Sequence, residues 1–291
     1  MGLRVINFSN YAFKKLVLLQ IPDEVTATEA KLYIYKEKDK KKVEHKKLLK
    51  IYYRDTLDYL NSKLDILTKL IEYHDVLNIP ELVLPDEIVT VDRMIKGIKM
   101  PFIANNVNMA LLLDNPKVSV KQKIKYLKEI LAILIKVSNI YELQDNFFLG
   151  DIQSSNFILD VNDQMIKAID LDSSYFNGLT PFPSRYLAGN ILANAFDKKY
   201  PRDSKTGLIL PSKETTYLQF AYMMLNSLTG LPCHRYGEKN FYNTLAELNH
   251  LGLDVNIMGF FESLFSRTNT VELQPEDLDR INYSKSYYLS K

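Results

Sequence analysis

Between Phe147 and Ser174 the chain reads FFLGDIQSSNFILDVNDQMIKAIDLDSS, and Asp151, Asn156 and Asp170 interrupt runs that are otherwise apolar. Short apolar runs bounded by turn signals are strand-like, so Phe157-Ile158-Leu159 and Met165 to Ile169 predict two strands joined by a turn at Asn162-Asp163. Such a hairpin carries a carboxylate and an amide at its entrance and a second carboxylate at its exit. Polar groups in an apolar setting are costly unless they are bonded or used. Two carboxylates and an amide near one point are hard oxygen ligands of the kind that magnesium-dependent phosphoryl transfer requires.

The rest of the chain changes class around this hairpin. From Glu24 to Tyr53 the pattern favours strands, with Lys31-Leu32-Tyr33-Ile34-Tyr35 and Lys47 to Tyr53 rich in β-branched, aromatic and long aliphatic residues. The lysine-rich Lys36 to Lys42 between them is diluted by Glu37 and Asp39 and reads as a solvated hairpin tip. Leu57, Leu60, Leu64, Leu67 and Ile71 recur at helical spacing, which makes Asp55 to His74 an amphipathic helix packed on those strands. Past Pro80 and Pro85, Leu82-Val83-Leu84, Ile88 to Val91 and Ile98 to Ile103 predict short strands. Beyond a polar stretch at Asn105, Asn106 and Asn108, helices are expected over Val120 to Tyr141, Thr215 to Leu228 and Asn240 to Phe265. The expectation is an α+β chain with a sheet-rich lobe over 1–104, a mainly helical lobe over 105–291, and a hinge near Phe102 to Asn108.

Composition narrows the function classes. With 46% hydrophobic and 25% charged residues, 291 residues suffice for a large core, and a net charge of +2 does not predict a nucleic-acid-binding surface. The single cysteine, Cys233, excludes an intrachain disulfide and, beside only His234, completes no zinc site. The apolar run Ile130 to Val137 is interrupted by Lys136, and Leu16 to Ile21 is too short for a secretory core before Pro22. Ile6 stands where an acylated Met1-Gly2 terminus would need Ser or Thr. A cytoplasmic protein without membrane or nucleic-acid partners is expected, its oligomeric state open.

The motifs resemble those of the protein-kinase-like superfamily over nearly the whole chain. Leu149-Gly150-Asp151, with Asn156 five residues on, resembles the catalytic loop; Ile169-Asp170-Leu171-Asp172 resembles the metal-binding motif after it; Pro211 to Gly230 resembles the central helix of the carboxy-terminal lobe. The resemblance implies a bilobal kinase-like fold using ATP with magnesium or manganese, and most readily a divergent serine/threonine protein kinase acting on a protein substrate. It implies Asp151 as catalytic base, and Asn156 and Asp170 as metal and nucleotide ligands. Lys50 would be the lysine of the third strand; of Lys46, Lys47 and Lys50 it alone has apolar neighbours on both sides. Strand alternation puts Leu48, Lys50 and Tyr52 on one face, with Leu48 covering the adenine. Met100, Phe102 and Ile103 would form the adenine-binding hinge, and Thr26 and Thr28 the tip of the phosphate-covering loop.

The chain also departs from that pattern. Asp23 to Leu32 contains no glycine, although glycine lets backbone N–H groups approach phosphate closely. The helix acid that would pair with Lys50 falls on Asp65 or Glu72, while Lys63 occupies the register of the acid. Leu149 and Gly150 replace the usual His and Arg, Asp172 replaces a Gly and offers a further metal ligand, and Thr216 replaces the Asp that ties down the catalytic loop. Gly150 and Asp172 also keep open a small-molecule kinase of the aminoglycoside or choline kinase type. The missing glycines keep open a pseudokinase acting as a nucleotide-binding interaction module.

Overall fold

A computed structural model describes residues 4–20, 29–53, 57–140, 147–176, 200, 212–230, 253–265 and 269–282. The chain divides into two compact units, one of Met1–Val107 with Ile158–Pro181 and the other of Asn108–Phe157 with Phe182–Lys291. The expected boundary between Phe102 and Asn108 therefore coincides with the first crossing, but the predicted hairpin returns the chain to the first unit. The protein is mixed α and β, sheet-rich towards its amino terminus and helical later.

The first unit is built on a six-stranded sheet. In chain order its elements are β1 (Val5–Phe8), α1 (Asn10–Phe13), β2 (Val17–Leu18), β3 (Ala30–Lys38), β4 (Glu44–Tyr52), α2 (Leu57–Glu72), β5 (Glu87–Val91) and β6 (Met94–Pro101). The strand order is β1-β5-β6-β4-β3-β2, with β1 parallel to β5 and the other pairs antiparallel. The lysine-rich segment is the tip of the β3–β4 hairpin, as expected. There the Asp39 carboxylate accepts from the Lys41 and Val43 amides, and Lys42 takes a left-handed turn at φ 62°. The β5–β6 hairpin closes through Asp92 and Arg93, both with positive φ, the geometry of a tight two-residue hairpin turn. Strands β1 and β2 were not foreseen.

Alternation along β4 divides the unit into two environments. Leu49 and Ile51 face a core with Phe8, Val89 and Val91, to which Ile6, Phe13, Leu16, Tyr33 and Tyr35 add partial cover. Leu49 is fully enclosed, which contributes about 2 kcal/mol of burial free energy. Lys50 and Tyr52 face the opposite side. Helix α2 buries Lys63, Ile66, Leu67, Leu70 and Ile71, whereas Leu64 is half-buried. Of the predicted repeat, Leu67 and Ile71 are buried, and the stripe also takes in Ile66, Leu70 and a lysine; the side chains of Leu57 and Leu60 lie outside the described residues.

The predicted polar stretch contains the short strand β7 (Asn106–Asn108), followed in the second unit by α3 (Ala110–Leu113), α4 (Val120–Ser138) and the short strand β8 (Phe147–Phe148). Ser119 caps α4 by accepting from the Gln122 amide. The predicted hairpin is β9 (Phe157–Asp160) and β10 (Met165–Ala168), in a three-stranded sheet of order β10-β9-β7. A short strand β11 (Tyr175–Phe176) follows in the first unit, where Phe176 packs on Tyr73 of the segment after α2. Helices α5 (Lys213–Thr229) and α6 (Val255–Phe265) belong to the second unit. A reciprocal capping box between Ser212 and Thr215 starts α5, and Gly230 ends it at φ 70°. The amino-terminal part of the helix expected over Asn240 to Phe265, with Cys233 and His234, lies outside the described residues. No helix among the described residues is long and apolar enough to cross a membrane.

Candidate functional site

In the first unit the site begins at the sheet. Lys50 sits towards the end of β4, opposite Leu32 of β3 and Ile98 of β6, while Leu48 lies opposite Met100. The structure thereby brings three of the predicted nucleotide-site residues, Leu48, Lys50 and Met100, onto adjacent ladder positions. Met100 is buried, and Phe102 and Ile103 follow as half-buried residues at the end of β6. The Ile103 carbonyl accepts from the Asn106 side chain at 2.6 Å. Thr26 and Thr28 lie outside the described residues.

The Lys50 ammonium is buried and donates to two carboxylates from the segment after β10. One is Asp170; the other is Asp172, whose Oδ2 lies 2.8 Å away. The same Oδ2 accepts from the Tyr52 hydroxyl and lies 3.4 Å from the Lys63 ammonium, and Lys63 in turn donates to Glu29 at 2.6 Å. The two ammoniums stand 5.2 Å and 5.6 Å from the centre of the Tyr52 ring, within cation–π range. Neither Asp65 nor Glu72 pairs with Lys50: Asp65 is exposed, and Glu72 binds Lys69 at 2.7 Å. A helix turns about 100° per residue, so Asp65, two residues after the buried Lys63, points well away from the face that packs.

The electrostatics follow from this crowding. Burial pushes the Lys50 ammonium toward neutrality, but Asp170 and Asp172 outweigh it and hold its pKa well above the ordinary lysine value. Burial also raises Asp172, yet Lys50 and Lys63 overcome it, and its carboxyl stays well below the usual range. Asp170 is pushed up to about 6 by burial and by Asp172, against the pull of Lys50. Its side chain is 36% exposed, so water tempers the burial contribution. Burial and Asp172 raise Tyr52, which keeps it a hydrogen-bond donor at neutral pH. Asp170 adopts a left-handed backbone, φ 62° and ψ 44°, uncommon for a residue with a side chain and concentrated at functional sites.

The second unit holds the other predicted pair. Asn156 is buried in a single turn, Ser154–Asn156, and its amide nitrogen donates to the Asp151 backbone carbonyl at 2.9 Å and to Asp151 Oδ2 at 2.8 Å. That leaves the Asn156 carbonyl oxygen as the atom suited to a hard cation. Gln153 donates to the same Asp151 oxygen at 2.9 Å.

Four side chains from elsewhere in this unit fix the loop. Gln219 of α5 accepts from the Ile152 amide at 2.8 Å, and Thr216 donates to the Leu149 carbonyl at 3.4 Å. Asn108 donates to the Ser155 carbonyl at 2.9 Å, and Asp114 accepts from Ser154 at 2.7 Å. Thr216 therefore keeps only a long bond to the loop, and Gln219, one turn further on, makes the short one. Gln219, Asn108 and Asp114 were not singled out by their sequence context, because no local pattern marks a partner that far away in the chain. Lys63 and Tyr52 were visible in position, but not in role.

Among the described residues no three His, Cys, Asp or Glu side chains gather as a metal site. Comparison with known proteins brings no match: no protein-family model matches the chain, and no curated protein matches it.

Proposed function

We propose that the chain is an ATP- and magnesium-dependent phosphotransferase of the protein-kinase-like type, acting on a Ser or Thr hydroxyl of a protein. The observation that carries this reading is the ion pair of Lys50 with Asp170, residues 120 positions apart that the motif resemblance assigns independently to the phosphates and to the metal. The pairing of Asn156 with Asp151 supports it, since it turns the amide nitrogen toward the base and leaves the amide oxygen for a cation.

The roles follow from the chemistry of each group. Lys50, kept charged by its carboxylates, orients the α- and β-phosphates. By the motif resemblance Asn156 and Asp170 would be the residues that offer oxygen ligands to magnesium, and the Asp170 carboxylate, a third exposed, keeps access to solvent. Bound there, magnesium would neutralise charge on the phosphates. Asp151 accepts the proton of the substrate hydroxyl as its oxygen bonds to the γ-phosphorus; the bond to the β,γ-bridging oxygen breaks and ADP leaves. Adenine would lie against Leu48, with Met100, Phe102 and Ile103 at its edge.

The test is incubation of the purified chain with γ-labelled ATP and magnesium or manganese, offering casein and a panel of small alcohols as acceptors, beside an Asp151→Asn control. Label on protein that the control loses is the expected result. Label only on a small alcohol moves the assignment to a small-molecule kinase. Nucleotide binding without transfer to either acceptor moves it to a nucleotide-binding module.

A further inference from the structure

The helix that faces Lys50 carries a lysine where the resemblance calls for an acid. Lys63 is 1% exposed, and a buried ammonium requires anions beside it. Its partners are Glu29 and the same Asp172 oxygen that receives Lys50 and the Tyr52 hydroxyl. Asp172 is itself 1% exposed, and its Oδ1 is buried with no hydrogen-bond partner among the described residues. Two ammoniums and a phenol therefore act on one carboxylate oxygen. Magnesium keeps several waters when bound by protein carboxylates; the bridge occupies Asp172 Oδ2, and a side chain only 1% exposed gives such a hydrated ion no approach from solvent to Oδ1. Asp170, two residues earlier, is 36% exposed and suffers no such enclosure.

We propose that Asp172 is a positioning residue and not a metal ligand: it anchors Lys50 in place of a helix carboxylate, and Lys63 of α2 is the counter-cation that holds Asp172. The charge pattern is inverted, with the cation on the helix and the anion on the segment after β10, and Tyr52 locks the anion's orientation. This assignment rests on the phosphotransferase reading for its consequence in nucleotide binding, though the bridge itself does not.

The inversion can be tested by undoing it in the full chain with Lys63→Glu, Asp172→Gly and the double substitution. Lys63→Glu alone sets a new carboxylate against both Asp172 and Glu29, and Asp172→Gly alone takes from Lys50 the more enclosed of its two carboxylates. Together they return the acid to the helix. Magnesium-ATP affinity by calorimetry should fall about tenfold or more in each single variant and recover to within about threefold in the double, since side chains sharing one bridge are non-additive. Melting midpoints without nucleotide should show the same non-additivity. If a single variant does not fold, the cycle of Lys63→Met with Asp172→Asn reads the same coupling.

Additive losses in both readouts would overturn the inference. So would an Asp172→Gly chain with an unchanged nucleotide-free midpoint but a raised magnesium requirement, which returns Asp172 to the metal. A wild-type chain that does not bind magnesium-ATP defeats the phosphotransferase reading instead, and the nucleotide-free midpoints still decide the bridge.

Discussion

Gly97 of β6 pairs with Ile51 of β4, and a Cβ built on it would lie 1.9 Å from the Lys50 carbonyl oxygen. No side-chain rotation relieves a clash with backbone, so any substitution must move β4 at the residue that carries the candidate site. Gly97→Ala should lower the unfolding free energy by about 1–3 kcal/mol, whereas Met94→Ala on the same strand, exposed at 59%, should stay within about 0.5 kcal/mol; urea denaturation of both distinguishes them. Lys123 of α4 offers a pH-dependent counterpart in the second unit. It is fully enclosed and donates to the Ser227 carbonyl at the end of α5 at 2.7 Å, where a cation also complements the helix dipole. Burial lowers its pKa from 10.5 to about 8, against the opposing effect of Asp114. Between those values the unfolded chain binds the extra proton, so this residue makes stability rise with pH from about 8 to 10.5. Denaturation at pH 7 and pH 10 should show the rise in the wild type and a smaller one in Lys123→Met; equal rises would place Lys123 at an ordinary pKa. Neither residue's role was legible in the sequence. Gly97 looks like any strand glycine until its partner strand is known, and periodicity counts a lysine as polar, whereas Lys63 and Lys123 are both buried by packing that spans distant elements.

Helix α5 shows the same limit at the scale of an element. Its apolar content and boundary residues predict its position, and Thr216 in the register of an anchoring acid is visible in the sequence, but the substitute is not. Residues three or four apart on a helix share a face, so Gln219 can serve the loop from the position one turn beyond Thr216. Its Oε1 accepts from a buried amide, and removing it leaves the Ile152 N–H unsatisfied. Gln219→Leu is expected to cost about 1–3 kcal/mol and to speed hydrogen exchange at Ile152, while Gln219→Glu, which keeps an acceptor, should retain most of the protection. Equal exchange in the two variants would remove Gln219 as the anchor. Helix α2 follows its expectation at Leu67 and Ile71, which are buried, but the buried face also holds Lys63, whose partners Glu29 and Asp172 no helical periodicity reveals. The hairpin β9–β10 matched its expectation most closely, since its apolar runs and the Asn162-Asp163 turn are local signals.

Across the whole molecule the chain crosses between its two units after Val107, after Phe157 and after Pro181, so neither unit is a continuous stretch of sequence. The division into a sheet-rich and a helical part was legible from the change of hydrophobic period, but a single boundary near residue 104 was too simple. The return crossing depends on pairings that sequence periodicity does not encode. Val83 donates to the Ala168 carbonyl at 3.0 Å, and Ala168 donates to the Glu81 carbonyl at 2.7 Å. Strand β1 escaped notice for a related reason, because four residues paired in parallel with β5 carry no hairpin signal. Without 158–181, the first unit loses those backbone bonds together with Asp170 and Asp172, leaving Lys50 buried without its two carboxylates. Removing one side of a buried ion pair costs about 3–5 kcal/mol, a large share of a domain's stability. A fragment of residues 1–107 should therefore melt without a cooperative transition. The Val161 amide donates to the Asn105 carbonyl at 2.8 Å, so a short glycine-serine linker can join 107 to 158 within the unit. That joined chain, 1–107 linked to 158–181, should regain a cooperative transition by circular dichroism, and Lys50→Met within it should not lower the midpoint as far as Asp172→Asn, which takes the shared anion from both Lys50 and Lys63. Cooperative melting of the 1–107 fragment alone would show that the returning hairpin is dispensable to the sheet.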